Sequence, residues 1–304
     1  MIVLVTVVTA APLPLALAAA LVAAVGMAAT KIEWAEETWN PTTGCTRVSP
    51  GCDRCYMFSE VESRLQYNVP GKYAAGTAVT LHPRTLDATA SVLTPSKVFV
   101  NSMSDLLHEA IPDEFVYEVF EAMGRAPWHL YMVLTKRERR LAELGPHLPW
   151  GDHVMAGVSV EDAERSYRLD ALRECGARRT FVSFEPLLGS VLDADGHVDL
   201  TGIDYAIVGG ESDSHTPGEA GARPMRPEWA REIRDACAEQ GVAFHFKQWG
   251  AHDAEGDLVG TKRAGRELDG RTHDDEPEWY AEFMRHACLQ AAAAKTSARG
   301  ARRE

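Results

Sequence analysis

The chain has 304 residues, 45% of them hydrophobic and 25% charged, and a formal net charge of -13. These are the fractions of a soluble globular protein, long enough for one large α/β domain or two ordinary ones. The acidic balance excludes a surface that grips duplex nucleic acid by bulk electrostatics, although a local basic groove stays open. The charge is uneven: residues 278–304 carry five basic and three acidic groups, which leaves about -15 on the rest.

The first thirty residues, "MIVLVTVVTAAPLPLALAAALVAAVGMAAT", contain no charged group. The run is long enough to span a membrane, and its small residues resemble a cleavage site. It lacks the positive n-region of a signal peptide, however, and Pro12 and Pro14 interrupt it. Met27 then opens "MAATKIEW", a start suited to a soluble protein. We expect residues 1–26 to be an apolar extension outside the fold, with a membrane anchor as the alternative.

Next comes "TGCTRVSPGCDRCYMF", residues 43–58, which carries Cys45, Cys52 and Cys55 and no fourth thiol. Ser49, Pro50 and Gly51 turn the chain tightly enough to aim three thiolates at one point. The stretch after Cys55 has a helical apolar rhythm, so backbone N–H groups near Tyr56 face anionic sulfur. Three chemistries fit. A zinc site would recruit a distant fourth ligand, with Cys175, Cys237, His82 and His108 as candidates. A redox C-x2-C would leave Cys45 surplus. A [4Fe–4S] cluster on three cysteines would leave one iron open to chelation by S-adenosylmethionine. Six cysteines also permit a disulfide framework in an exported protein, but three of them are scattered singly and a chain of this size needs no staples.

Downstream, short apolar runs alternate with amphipathic ones. The predicted strands are 97–102, 130–135, 154–159, 180–185, 205–210 and 242–247, nearly continuous in apolar residues as buried parallel strands are. The predicted helices are 113–126, 137–145, 161–175 and 226–241, the last with Pro227 near its start and Gly241 past its end. The 185–205 connection is rich in Gly and Asp and reads as a loop or hairpin. Strand starts recur about every 25 to 37 residues, which suits repeated βα units in a parallel sheet or barrel. Each run ends in polar residues: Asn101 and Ser102 with Ser104 and Asp105; Thr135, Lys136 and Arg137; Ser159 with Glu161; Ser183 with Glu185; Gly209, Gly210, Glu211 and Ser212; Lys247 and Gln248. In a barrel these ends converge on one functional rim.

The segments "KIEWAEETWNPTTGCTRVSPGCDRCY", "VFVNSMSDLLHE", "LTKRERR", "GVSVED", "FVSFEPLLG", "IVGGES", "ARPMRPEW", "FKQWG" and "GRELDGRTHDDEP" follow in order from Lys31 to Pro277. Together they resemble a phage-associated family of unknown function whose members carry a three-cysteine motif and are related to radical-SAM enzymes. The resemblance implies an α/β fold, a radical-SAM-like partial (β/α) barrel of mainly parallel strands, over residues 27–277. The resemblance leaves out the Ala-rich basic tail, 278–304, which we expect to be helical and then disordered. The resemblance further implies Cys45, Cys52 and Cys55 as ligands of a [4Fe–4S] cluster, with S-adenosylmethionine as the second cofactor. Two features depart from typical radical-SAM enzymes. The loop has C-x6-C-x2-C spacing instead of C-x3-C-x2-C, and the "GGES" motif follows a late strand instead of an early one.

Candidate cofactor-binding residues are Tyr56, beside Cys55, and Asn101, Ser102, Asp105, Ser159, Ser183, Gly209, Gly210 and Glu211. Candidate catalytic residues are Lys136, Glu185, Lys247 and Gln248, because a charge at the end of an apolar run must be paired or used. Glu161 reads as a first-turn helix residue. Trp39 and Trp249 are either packed or stacked on a base, and Arg223 is either a surface residue or an anion contact. Cys175 and Cys237 read as small core residues. The expected substrate is a small molecule or nucleotide, possessing at most a flipped base and not a long duplex. The expected reductant is a flavodoxin or ferredoxin, in the cytoplasm, with no membrane contact unless residues 1–26 are an anchor. The competing reading is a zinc-binding or partner-recruiting module on the same scaffold.

Overall fold

The computed structural model describes residues 26–212 and 221–300. Most of the predicted N-terminal extension, residues 1–25, and the last residues of the predicted tail, 301–304, lie outside the described residues. The strands are β1 (Met27–Ala29), β2 (Glu37–Trp39), β3 (Thr42–Thr43), β4 (Thr80–Leu81), β5 (Lys97–Val100), β6 (Leu130–Thr135), β7 (Val154–Ser159), β8 (Arg179–Phe184), β9 (Tyr205–Gly209) and β10 (Ala243–Gln248). The helices used below are α1 (Tyr56–Glu60), α2 (Asp113–Arg125), α3 (Glu138–Leu144), α4 (Arg168–Glu174), α5 (Pro227–Gln240) and α6 (Tyr280–Gly300).

Eight strands form one sheet in the order β1-β2-β5-β6-β7-β8-β9-β10. From β2 to β10 every pairing is parallel, and only the short β1 runs antiparallel to its neighbour. Neighbours in space are therefore neighbours in the chain order of the sheet, the winding of a barrel, and β1 and β10 remain as separate edges. This is a mainly parallel partial (β/α) barrel, as expected.

Period-two alternation builds two cores from the same strands. Val98, Val100, Tyr131, Val133, Val154, Ala156, Val158, Val182, Phe184, Ala206 and Val208 face the helices. Phe99, Leu130, Met132, Met155, Phe181, Tyr205 and Ile207 fill the inside together with Trp34. Gly157 falls on the inner face because Phe181 occupies its side-chain space: a Cβ there would lie 2.3 Å from the ring. Helix α2 covers the outer face with Phe115, Val116, Val119, Phe120 and Met123 at helical spacing. Full burial of each is worth about 1.5–3 kcal/mol. Helix α5 does the same with Ala230, Ile233 and Cys237, and stops at Gly241, whose φ of 71° is the left-handed cap. Cys175 and Cys237 sit in this outer core, as expected. Helix α6 lays Ala287 and Ala291, one turn apart, against Ala126 and Trp128.

Two expectations change and one is met. The predicted helix 161–175 is a 3-10 turn, Ala163–Arg165, followed by α4, because Glu161 is drawn inward and Asp162 is fully extended at φ -166°. The 185–205 connection is loop as far as Asp204, the first of the two forms expected for it. Strands β1 and β2, unexpected from the sequence, open the sheet.

Candidate functional site

The inner-face alternation continues upward past the apolar core. Two residues beyond Phe99, Leu134, Gly157, Phe181, Ile207 and His245 come Asn101, Lys136, Ser159, Ser183, Gly209 and Lys247. All of these except Gly209 line a cavity of about 840 Å³ at the C-terminal ends of the strands, and the three cysteines of the 45–55 loop line it too. Tyr56, Ser102, Asp105, Glu185, Gly210, Glu211 and Gln248 complete the set of sequence candidates found there. Gly209 instead makes room beneath: a Cβ on it would lie 3.2 Å from the Glu185 carboxyl carbon.

Three rim residues clamp the cysteine loop to the barrel. From the end of β6, Arg137 donates through Nη2 to the Thr46 carbonyl at 2.9 Å, to Thr46 Oγ1 at 3.0 Å and to Cys45 Sγ at 3.7 Å. From the end of β7, the buried carboxylate of Glu161 accepts from Ser49 Oγ at 2.6 Å and from Arg168 Nη1 at 2.8 Å. Gly51 has no side chain because the same carboxylate fills its place, with Oε1 2.5 Å from an added Cβ. Beyond β9, Glu211 accepts from the Arg223 backbone N at 2.8 Å and Nε at 3.0 Å, and from Arg54 Nη1 at 3.2 Å. Arg223 reaches on to the Pro50 carbonyl at 2.8 Å. Burial raises the Glu211 pKa, but the Arg223 hydrogen bonds and charge outweigh it and hold the carboxyl below its ordinary range.

The cavity-facing groups differ in how far they are committed. Lys136 donates to Ser159 Oγ at 3.0 Å. Burial opposes its charge, yet Glu161 and the thiols of Cys52 and Cys55 hold its pKa above that of an ordinary lysine. Lys247 pairs with Glu185 at 2.5 Å. Asn101, 2% exposed and at a left-handed φ of 63°, donates Nδ2 to Thr42 Oγ1 at 2.8 Å. Thr42 in turn bonds Ser104, which donates to the Thr42 carbonyl, so the amide orientation is fixed and Oδ1 has no partner among the described residues. The Tyr56 hydroxyl donates to the Ser102 carbonyl, and the Ser102 hydroxyl exchanges with Asn40. Burial pushes the Cys45 thiol up to about 11, assisted by Asp105 and opposed by Arg137. Burial also raises the Cys55 thiol, against the pull of the Met57 N–H and the Lys136 ammonium.

Several expectations need correction. Asp105 is not a free ligand group: its carboxylate holds Thr135 Oγ1 at 2.8 Å, Lys136 N at 3.0 Å and Leu107 N at 3.0 Å. Gln248, which lines the cavity, donates its amide to the Gly210 carbonyl at 3.0 Å and accepts from the Gly250 N–H, so it also shapes the rim. Glu211 is occupied by arginines and Glu161 is a buried ion-pair member, not a helix first turn. Trp39 is fully buried with Nε1 on the Thr85 carbonyl, and Trp249 bonds the Glu267 carbonyl, so both are packed. Arg223 binds an anion supplied by the chain itself. The sequence placed Arg137 among the polar strand endings without a role, and did not single out Asn40 or Arg54; the partners of these residues lie up to 157 positions away. Among the described residues, no three His, Cys, Asp or Glu side chains surround a single-ion position. Nor is any helix among them long and apolar enough to cross a membrane.

The chain belongs to a protein family of unknown function, DUF5131, whose model matches residues 29–277. That span coincides closely with the motif series running from Lys31 to Pro277. Among solved structures it is similar to a spore photoproduct lyase variant with bound AdoMet and dinucleoside spore photoproduct. The TM-score is 0.38 and the identity 12%, over 88% of this chain and 76% of that one. No curated protein matches.

Proposed function

We propose that the protein is an iron–sulfur enzyme of the radical-SAM type, with Cys45, Cys52 and Cys55 as ligands of a [4Fe–4S] cluster and S-adenosylmethionine as the partner of its open iron. One observation carries the reading: three thiols, and no fourth among the described residues, line one cavity of about 840 Å³ at the strand ends. The donor set fits the group. Thiolates on a loop flanked by Arg137 and Lys136 suit an anionic cluster, and each cysteine binds a different iron, so no single-ion geometry is needed. When bound, the cluster supplies the electron that breaks a C–S bond of S-adenosylmethionine and starts radical chemistry on a substrate.

The chain's own residues then have distinct tasks. The Asn101 Oδ1 acceptor, buried and unpartnered among the described residues, is suited to an ammonium such as the methionyl amino group. Tyr56, Ser102, Ser159 and Ser183 supply further polar contacts on the same wall. Lys136 offsets the negative charge of the cysteine ligands, while Glu185 and Lys247 face the substrate space as a proton-exchanging or orienting pair. Asp105, Glu161, Glu211 and Gln248 hold the loops of the rim in place. The substrate is a small molecule or nucleotide, reduced flavodoxin or ferredoxin is the electron source, and the cytoplasm is the compartment that keeps such thiols reduced.

Metal and sulfide analysis of anaerobically purified protein tests the reading. About four iron and four sulfide per chain is the expected result. About one tightly held zinc with no iron uptake would replace it with the zinc-binding module.

A further inference from the structure

Lys136 and Arg137 are adjacent at the end of β6, so alternation sends them to opposite sides of the strand. Lys136 reaches the cavity; Arg137 passes beneath the cysteine loop, where it is 5% exposed. Its guanidinium donates Nη1 to Glu109 at 2.7 Å and Nη2 to both Thr46 oxygens and to Cys45 Sγ at 3.7 Å. Its backbone N–H is held by Thr135 Oγ1 at 2.9 Å, and its buried Nε lies 3.9 Å from Asp105 Oδ2. Only a planar fork with five donors can serve these acceptors at once, and a lysine ammonium cannot.

The geometry points to Arg137 as a positioning residue that sets the reduction potential of the cluster bound at Cys45, an inference that rests on the iron–sulfur reading above and deepens it. An N–H donor and a fixed positive charge beside a ligand sulfur stabilise the reduced, more negative state over the oxidised one and so raise the potential. The step adds one electron to the cluster from a low-potential one-electron donor. The guanidinium keeps its proton throughout. Asp105 and Glu109 face Arg137 from the 105–109 segment and partly offset its charge, Glu109 from an exposed position.

The test is a dithionite redox titration of the anaerobically reconstituted full chain, followed by EPR, with iron and sulfide counted in each sample. In Arg137→Lys and Arg137→Gln the reduction equilibrium falls at least about tenfold, a shift of about 59 mV to more negative potential for one electron. In Glu109→Gln, which leaves the guanidinium in place and removes a counter-charge, the potential moves the opposite way. Opposite signs distinguish tuning from damage, and Glu109→Gln keeps the test available if the Arg137 variants do not fold. Wild-type potentials in cluster-loaded variants overturn the role of Arg137 alone. A wild-type chain that takes up no cluster overturns the iron–sulfur reading beneath it.

Discussion

At the lower end of the barrel, Lys97 and Arg179 sit on the inner face two residues below Phe99 and Phe181, and the chain closes over them itself. Lys97 binds Glu276 at 2.6 Å and lies over the Tyr280 ring, and Arg179 stacks on Trp279 at 4.0 Å. Trp279 is anchored on Asp204 at 3.1 Å, and His245 lies 3.6 Å from Asp274. At the upper end the same strands present Asn101, Lys136, Ser183, Glu185 and Lys247 to an open cavity with three thiols on its wall. Strand ends are polar in both places. What differs is the cover: residues 274–280 pack over the lower charges, whereas the upper groups line a cavity. A polar strand end therefore says nothing about function until its partner is known.

The comparison breaks most readily at the thiols. Cys45→Ala, Cys52→Ala and Cys55→Ala are each expected to lose the iron–sulfur absorbance and nearly all bound iron while the circular dichroism of the fold persists. Retention of iron in any of them removes that residue from the ligand set.

Next in size is the clamp at Glu161, fully buried against Arg168. Glu161→Ala leaves the buried Arg168 guanidinium with the Ser159 carbonyl and the more distant Glu138, 3.8 Å from its Nε, and a loss of about 3 kcal/mol in urea unfolding is expected. A loss below about 1 kcal/mol would mean that the carboxylate is not buried as described.

The lower end also carries an acid limit. Burial lowers the His245 pKa to about 4 in the fold, against an ordinary value near 6.5 in the unfolded chain. Between those values the unfolded chain binds the extra proton. Stability is complete above about pH 6.5 and declines as pH falls toward 4, by at most about 3 kcal/mol. Stability measured across this window is expected to slope less in His245→Gln; an unchanged slope would assign the acid limit elsewhere.

The smallest effects compare the two ends directly. Lys97→Met removes a charge-assisted bond under the closed end and is expected to cost about 1.5–3 kcal/mol. The double change Glu185→Gln with Lys247→Met removes both charges of a largely buried pair at once and is expected to cost less than about 1 kcal/mol. Equal costs in thermal unfolding would erase the distinction between cover and cavity.

Much of this was legible in the sequence, and the reasons for the rest are physical. Strands β6 and β7 begin and end where their apolar runs do, because a parallel strand buried on both faces cannot carry polar residues inside. The rim candidates were legible by the same logic, since the first polar residues after such runs lie at the cavity. Strands β1 and β2 were not, because three residues with mixed burial leave no pattern. The clamps were also hidden: Glu161 looked like a helix start because its partner Ser49 is 112 residues away. Arg137 was overshadowed by Lys136 because sequence order does not tell which of two neighbours points inward. Gly209 drew attention as part of "GGES"; in the fold it makes room for Glu185 and accepts from the Leu187 N–H at 2.9 Å.

The most direct test of the central claim is an EPR spectrum of anaerobically purified, dithionite-reduced protein, recorded with and without S-adenosylmethionine. A reduced [4Fe–4S] signal that changes when S-adenosylmethionine is added is the expected result, because three cysteines leave one iron to be chelated. A protein without that signal, or with one that S-adenosylmethionine does not alter, would contradict it.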